Sequence, residues 1–384
     1  MIGRDSEMFR LLRDSLLLCR LSCGSRLLSV ALFSSVLAIT PAHAASTDVF
    51  DPLREQAPQF DLQLPAPVIG VTRAGDDLIS VGPRGLIQRS SDSGKSWVQV
   101  PSPVSSDLVQ VRFRDAQHGW IVGHDSVLLH SSDGGRSWKV QLDGRSLLTL
   151  LREVYGRRAD NGDQAAEDML GEISMAMSTA ASPDVLAAPL LDVLFDARGN
   201  GFVVGAFGMI LHSADDGATW EPWVERTDNT RRMHLYALAE HQGEFFVSGE
   251  QGVLMHQDQS SGRFVMLTTP YTGTFFGVRA FSDLLVVYGL RGNLFVSRNQ
   301  GQDWQKVRTG LKTSLVSSVE HDGQLILVSQ SGEMVAMDRS SLAVTPLQAA
   351  KVGEVFAASA TAKADALVVT RFSGAKVVEI AKAK

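Results

Sequence analysis

Three arginines stand at equivalent short turns, where each can pair with an anionic group. Arg84, Arg291 and Arg371 each lie between two apolar runs. A guanidinium group holds carboxylates and phosphates through paired hydrogen bonds. The pattern therefore predicts a surface that binds an anionic or carboxylate-bearing partner.

Four further polar residues complete the candidate partner-binding set. Arg231, Arg232 and Tyr271 lie in segments that connect apolar groups of runs, and Glu250 occupies a turn. Glu250 with Tyr236 or with Tyr271 is the one combination that could form a base–nucleophile pair. The alternative is that all of these are ordinary solvated turn residues.

Other reaction chemistry is not indicated. His130, His212 and His256 recur at nearly the same repeat position, which would spread them around a ring and keep them from sharing a metal ion. No phosphate-binding loop or serine-centred nucleophile motif is present. We therefore expect no catalytic residue, no metal and no cofactor.

One short motif, S-x-D-x-G-x-[ST]-W, recurs four times and indicates a structural repeat. Its Asp or Asn side chain is expected to accept hydrogen bonds from backbone N–H groups two residues further on. Its Gly supplies a positive φ angle, and its Trp fills a gap between sheets. The motif residues are Asp92, Gly94, Trp97, Asp133, Gly135, Trp138, Asp215, Gly217, Trp220, Asn299, Gly301 and Trp304.

The arginine turns belong to a longer repeat. Small-x-x-small turns end at positions 85, 126, 208, 252, 292, 332 and 374, a period of about 42 residues with one double step. Each unit reads as four short strands, the pattern of a propeller blade. The predicted fold is all-β, a seven-bladed β-propeller of four-stranded antiparallel blades (58–384), with a helical hairpin inserted between blades 2 and 3.

Two segments depart from the repeat. Residues 145–188 have helical spacing, with Asp163 as a helix cap, and predict the hairpin; a degenerate eighth blade is the alternative. Residues 45–57 read as a linker. Phe60–Leu64, within 58–64, alternates, and we expect it to supply the missing fourth strand of blade 7 and close the ring.

Blade topology assigns the polar residues to faces. The motif loops join third to fourth strands, so they lie on one face. The small-x-x-small turns, the interblade loops and the helical insertion lie on the opposite face, where the insertion is expected to cover part of the channel mouth. The candidate arginines therefore collect on the face opposite the motif loops.

The first 44 residues predict a secretory signal peptide. Arg20 and Arg26 precede an apolar run over 27–39, and small residues precede a cut after Ala44. An uncleaved anchor is the alternative. Both cysteines, Cys19 and Cys23, lie in this segment. We expect a soluble, monomeric protein of a Gram-negative periplasm without disulfides, and the net charge of −6 argues against nucleic acid as a partner.

The motif resembles the Asp-box, or BNR, repeat of sialidases and of non-enzymatic propellers. The whole unit, as in 108–113, 119–123 and 130–135, resembles the repeat of the photosystem II stability/assembly factor-like family over about 65–380. The resemblance implies a non-enzymatic scaffold, assembly or stability factor for a membrane or envelope protein complex. Exported relatives are similar to proteins encoded beside RND/MMPL-type transporters. The insertion departs from the compact photosynthetic pattern.

Two other functions compete with the scaffold. A sialidase-like glycoside hydrolase needs three arginines, a Tyr–Glu pair and an acidic Asp, but the F/Y-R-I-P motif that supplies one arginine is missing. A carbohydrate-binding propeller would repeat one aromatic and polar set in each blade, whereas the turn residues here differ between blades.

Overall fold

A computed structural model describes residues 50–180, 182, 184–349 and 352–382. The predicted signal peptide and its cleavage site lie outside the described residues. The segment predicted as a linker is described from Phe50 onward, and it packs on the neighbouring structure: Leu53 is buried in a core cluster that also includes Val104 and Val185.

The first three blades each contain four antiparallel strands, ordered from inner to outer. Blade 1 comprises β1 (Gly70–Ala74), β2 (Asp77–Val81), β3 (Ile87–Ser90) and β4 (Val98–Val100). Blade 2 comprises β5 (Leu108–Phe113), β6 (Gly119–Gly123), β7 (Leu128–Ser131) and β8 (Lys139–Leu142). Blade 3 comprises β9 (Leu190–Phe195), β10 (Gly201–Gly205), β11 (Ile210–Ser213) and β12 (Glu221–Pro222).

The remaining strands form three four-stranded blades and one three-stranded blade. Blade 4 comprises β13 (Leu235–His241), β14 (Glu244–Gly249), β15 (Leu254–Asp258) and β16 (Arg263–Met266). Blade 5 comprises β17 (Phe275–Ala280), β18 (Leu285–Gly289), β19 (Leu294–Ser297) and β20 (Gln305–Lys306). Blade 6 comprises β21 (Leu315–His321), β22 (Gln324–Ser329), β23 (Met334–Asp338) and β24 (Val344–Ala349), and blade 7 comprises β25 (Ala358–Ala360), β26 (Ala366–Val369) and β27 (Lys376–Lys382).

Burial explains why these segments become blade strands. The second strands β6, β10 and β18 are buried along their whole length, since a neighbouring blade covers each of their two faces. The short outer strands β4 and β20 carry exposed side chains. The predicted all-β propeller is confirmed.

The ring closes differently from the prediction. Phe60–Leu64 forms no strand, because the Asp61 side chain accepts a hydrogen bond from the Gln63 N–H (3.0 Å) and folds the segment into a turn. The ends of the ring meet instead at the inner strands β1 and β25, next to which Thr370 Oγ1 donates to Ile69 O at 2.8 Å. Outer strand β27 pairs with β24 of blade 6.

The helical hairpin between blades 2 and 3 is confirmed. Helix α1 spans Gly144–Asp160 and helix α2 spans Gln164–Ser178. Asp143 caps α1 through the N–H groups of Arg145 and Ser146, and Asp163 caps α2 through the N–H of Ala166. Apolar side chains of both helices pack against Trp223 and Val224, which follow β12.

Candidate functional site: the turn face

The turns between second and third strands share an uncommon backbone conformation. The residue before the small residue that ends the turn has a positive φ angle in five blades, at Arg84 (56°), Asp125 (55°), Phe207 (55°), Gln251 (50°) and Arg291 (58°). Asp125 is half-buried, and the other four side chains are exposed. A non-glycine residue in this region is uncommon, and such residues cluster at functional sites. The sequence analysis did not detect this feature, although the small residue that ends each turn was its signal.

The interblade loops explain the shape of these turns. A Cβ atom on Gly85 would lie 2.1 Å from Val104 O, and one on Gly292 would lie 2.2 Å from Leu311 O. Each turn therefore needs glycine where it meets its loop, and the residue before it projects outward. The Arg84 N–H also donates to Asp107 Oδ1 at 2.8 Å. We call these turns, together with the interblade loops, the turn face.

Two of the predicted arginines have free guanidinium groups. Within residues 50–180, 182, 184–349 and 352–382, the side chains of Arg84 and Arg291 make no hydrogen bond and no ion pair. The Arg84 guanidinium lies 6.0 Å from the ring centre of Phe60. Arg371 differs, because its Nη1 donates to Val352 O at 3.2 Å and its Nε is buried. The three equivalent arginines are therefore two exposed cations and one that is partly engaged.

The adjacent arginines of the loop between blades 3 and 4 have different contacts. Arg231 is exposed and donates to Gln251 Oε1 at 2.7 Å. Arg232 donates to both carboxylate oxygens of Glu172 at 3.0 Å and also contacts Met169. Because Glu172 and Met169 belong to α2, Arg232 attaches the hairpin to the loop between blades 3 and 4.

The structure brings one predicted base–nucleophile pair together. Tyr236 Oη donates to Glu250 Oε1 at 3.3 Å, and the other Glu250 oxygen accepts the His234 N–H at 3.0 Å. Burial and the neighbouring Glu250 raise the pKa of Tyr236 to about 12. A tyrosine nucleophile needs the opposite shift. Tyr271 donates to Leu290 O at 3.3 Å and has no contact with Glu250.

Exposed aromatic side chains accompany the arginines. Phe207 is 65% exposed and Phe372 is 58% exposed. The Phe207 N–H donates to His234 Nδ1 at 3.1 Å, and the Phe372 ring packs edge-on against Phe356. Aromatic residues and arginine are the types enriched at protein–protein contacts.

The Asp-box loops lie on the other face and bond mainly within themselves. Asp133 Oδ1 accepts from the N–H groups of Arg136 and Ser137 at 2.9 Å, and Ser131 Oγ accepts from the Gly135 N–H at 2.9 Å. The aspartate thus reaches three and four residues further on, and the expectation of two was wrong. Burial tends to raise the pKa of Asp133, but hydrogen bonds from Ser137, Ser131 and Arg136 outweigh it and lower the pKa to about 2.

The same loop conformation recurs in the other three boxes. In all four boxes, the glycine lies against a side chain of a neighbouring blade. A Cβ on Gly135 would lie 2.7 Å from Ile79 of blade 1, and one on Gly94 would lie 2.9 Å from Val377 of blade 7. The indole N–H groups of the four box tryptophans are buried without a partner among the described residues. The boxes therefore fill the borders between blades.

The histidines considered as metal ligands have separate neighbours. His130 stacks on Trp120, His212 is bonded to Asn200, and His256 is bonded to Glu244. Within the described residues, no group of three His, Cys, Asp or Glu side chains could hold a metal ion. No helix in that part of the chain is both long and apolar enough to cross a membrane.

A family model described as photosynthesis system II assembly factor YCF48 matches residues 75–150 and 182–340. The chain belongs to this family. The gap between the two matched stretches contains helix α2, so the hairpin interrupts the family pattern. The predicted family resemblance is confirmed.

Individual relatives match shorter stretches. The photosystem II assembly lipoprotein Ycf48 of Synechococcus sp. (strain CC9902) is 28% identical over 152 residues, which is 37% of this chain and 42% of the relative. The photosystem II assembly protein Ycf48 of Synechococcus sp. (strain JA-2-3B'a(2-13)) is 30% identical over 138 residues, or 34% of this chain and 40% of the relative. The chain thus matches about two fifths of the length of these relatives.

Solved structures show the same fold over most of the chain. One, described as YCF48 bound to D1 peptide, has a TM-score of 0.57 at 13% identity and covers 87% of this chain and 98% of its own. YCF48 from Cyanidioschyzon merolae has a TM-score of 0.56 at 13% identity and covers 85% of this chain and 98% of its own.

Proposed function

We propose that this chain is an exported, non-enzymatic scaffold that helps to assemble or stabilise a membrane or envelope protein complex. It would do so by binding a segment of a partner protein on the turn face. The observation that carries the proposal is the pair of exposed, unpaired guanidinium groups of Arg84 and Arg291 at equivalent left-handed turns.

The chemistry of this face favours a peptide with carboxylate groups. Free arginines supply paired donors for carboxylates, and the exposed ring of Phe207 supplies apolar contact area. Membership of an assembly-factor family supports a protein partner, and the solved relative that holds a peptide shows that this fold can accept one. An RND/MMPL-type transporter remains the partner class that the resemblance implied.

Glycoside hydrolysis is less well supported. The Tyr236–Glu250 contact exists, but the pKa of about 12 keeps the phenol protonated at neutral pH. The chain is expected not to hydrolyse a fluorogenic sialoside. Turnover by the wild type that disappears in Glu250→Gln would replace the scaffold proposal.

Affinity capture from envelope extract tests the proposal. The double variant Arg84→Glu/Arg291→Glu is expected to retain about one tenth or less of the captured partner, because truncated interface arginines often cost more than 1–2 kcal/mol. The matched control is Lys95→Glu/Arg136→Glu, which makes the same charge change at exposed positions of the Asp-box loops.

The thermal midpoints of both double variants should equal that of the wild type, since none of the four side chains is buried. Equal capture by the turn-face variant and the wild type would exclude the turn face as the binding surface. Loss of capture in both double variants would show that net charge, and not this face, determines binding.

A further inference from the structure

A second candidate site, separate from the turn face, lies in the central channel. The inner strands line a cavity of about 380 Å³. A second cavity of about 440 Å³ lies at the Asp-box end, where the inner strands β13 and β17 turn back into their neighbours. The two cavities share Arg112, Arg279 and Glu320.

The acidic groups around these arginines already have partners. Asp192 is fully buried and accepts two hydrogen bonds from Arg112, at 2.9 and 2.7 Å. Its remaining acceptor positions are filled by the N–H groups of Val193 (2.9 Å) and Leu238 (2.8 Å). The charge of Arg112 is therefore neutralised inside the protein.

Two further acidic groups lie at the cavity rim. Glu320 pairs with Arg339 at 3.1 Å, whereas Glu240 accepts only the Gly243 N–H at 2.6 Å and has no ion pair among the described residues. The Arg339 guanidinium also lies 4.5 Å from the ring centre of Phe281. These contacts leave one cation of the cavity wall to be accounted for.

That cation is Arg279. Its side chain has no hydrogen bond and no ion pair within the described ranges, although it lines both cavities. Burial lowers the pKa of Arg279 and the charge on Arg112 adds to this effect, whereas Tyr288, Glu320 and Asp192 oppose it. Arg279 is half-buried and has no hydrogen-bonded counterion among the described residues, so an anion in the cavity would stabilise it.

His241 also lines this cavity, but its Nε2 is a buried atom that a ligand in the cavity cannot reach, and it has no hydrogen-bond partner among the described residues. Leu194, Leu238 and Phe281 supply apolar wall on the other sides. The cavity thus combines a few polar donors with apolar surface, and its volume is that of a small-molecule site.

We propose that the Asp-box end of the channel binds a small anion whose carboxylate or phosphate group accepts hydrogen bonds from Arg279. A guanidinium group suits both anions because its N–H groups match two oxygens at once. The apolar wall would contact the body of an organic ligand. This site is independent of the turn face, so either proposal can fail while the other holds.

Calorimetric titration at low ionic strength tests the site with inorganic phosphate and with benzoate as separate probes. The wild type should bind at least one of them saturably, and tighter binding of benzoate would indicate that the apolar wall contributes. Arg279→Gln should weaken the affinity at least about tenfold, since a charge-assisted hydrogen bond is lost, and Arg279→Lys should retain part of it.

Arg136→Gln is the matched control, because it removes one arginine charge from the same face outside the cavity. It should bind like the wild type. Unchanged thermal midpoints would show that Arg279→Gln is folded. The proposal is overturned if neither probe binds saturably to the wild type, if Arg279→Gln binds as the wild type does, or if Arg136→Gln loses as much affinity.

Discussion

The two faces of the propeller use polar side chains in opposite ways. On the Asp-box face, each boxed aspartate accepts hydrogen bonds from its own loop, as Asp133 does from Arg136 and Ser137. On the turn face, Arg84 and Arg291 project from left-handed turns and leave their guanidinium groups unbonded. Polar side chains that make hydrogen bonds within the protein stabilise the blades, whereas exposed side chains without such bonds remain available to a partner.

The largest expected effect on stability concerns the same contrast inside the channel. The channel holds Arg112, which is paired, and Arg279, which has no partner among the described residues. Arg112→Gln leaves Asp192 buried without its counterion and should lower the free energy of unfolding by about 3–5 kcal/mol. Arg279→Gln removes a cation that has no hydrogen-bond or ion-pair partner among the described residues, so the free energy of unfolding should not fall by more than about 0.5 kcal/mol. Urea denaturation of both variants measures the difference.

A similar loss in both variants would contradict the pairing described for the channel. It would mean that Arg279 contributes to folding as Arg112 does. A loss in Arg279→Gln alone would contradict it more strongly.

An intermediate effect is expected in an Asp box. Asp133→Ala removes the acceptor of two backbone N–H groups and of two hydroxyl groups. Loss of such a cap costs about 1–2 kcal/mol, and the exposure of this loop keeps the effect at the lower end. Partner capture should be unchanged. Reduced capture with unchanged stability would assign the Asp-box face to binding.

The predicted parts of the fold rest on local chemistry. The four boxes and the turn spacing carry the blade pattern, because side-chain-to-backbone bonds and glycine conformations act within a few residues. The pair between Arg112 and Asp192 joins residues 80 positions apart on neighbouring blades. No local pattern contains such a contact, so it could not be predicted from the sequence.

Two expectations show where alternation and residue type mislead. The alternating segment Phe60–Leu64 folds as a turn, because an aspartate side chain offers its backbone a nearer partner than a distant sheet edge does. The sequence places Arg232 among the candidate partner-binding residues, and in the structure its contacts with Glu172 hold the hairpin. Arg232 is bonded because the helical insertion places Glu172 next to it, and the spacing of the repeat does not reveal that contact.

The smallest expected effect concerns pH. The pKa of Asp133 is lowered from 3.8 to about 2 in the folded protein, so its stabilising contribution is present above pH 4 and is lost as the pH falls toward 2. Asp133→Asn cannot titrate. The stability difference between the wild type and Asp133→Asn should therefore shrink between pH 5 and pH 2.5, as measured by denaturant midpoints.

A constant difference over that range would show that folding does not lower the pKa of the Asp133 carboxylate. The analogous test on Asp215, whose pKa is also lowered by bonds from Thr219 and Ser213 against the effect of burial, would extend the result to a second box.

Hydrogen–deuterium exchange of the partner complex tests the central claim most directly. If the turn face binds the partner, amides in 82–86 and 290–293 should exchange more slowly in the complex than in the free protein, while the Asp-box loops 92–97 and 133–138 should exchange equally in both. Slower exchange confined to the Asp-box loops, with no change at the two arginine turns, would contradict the account.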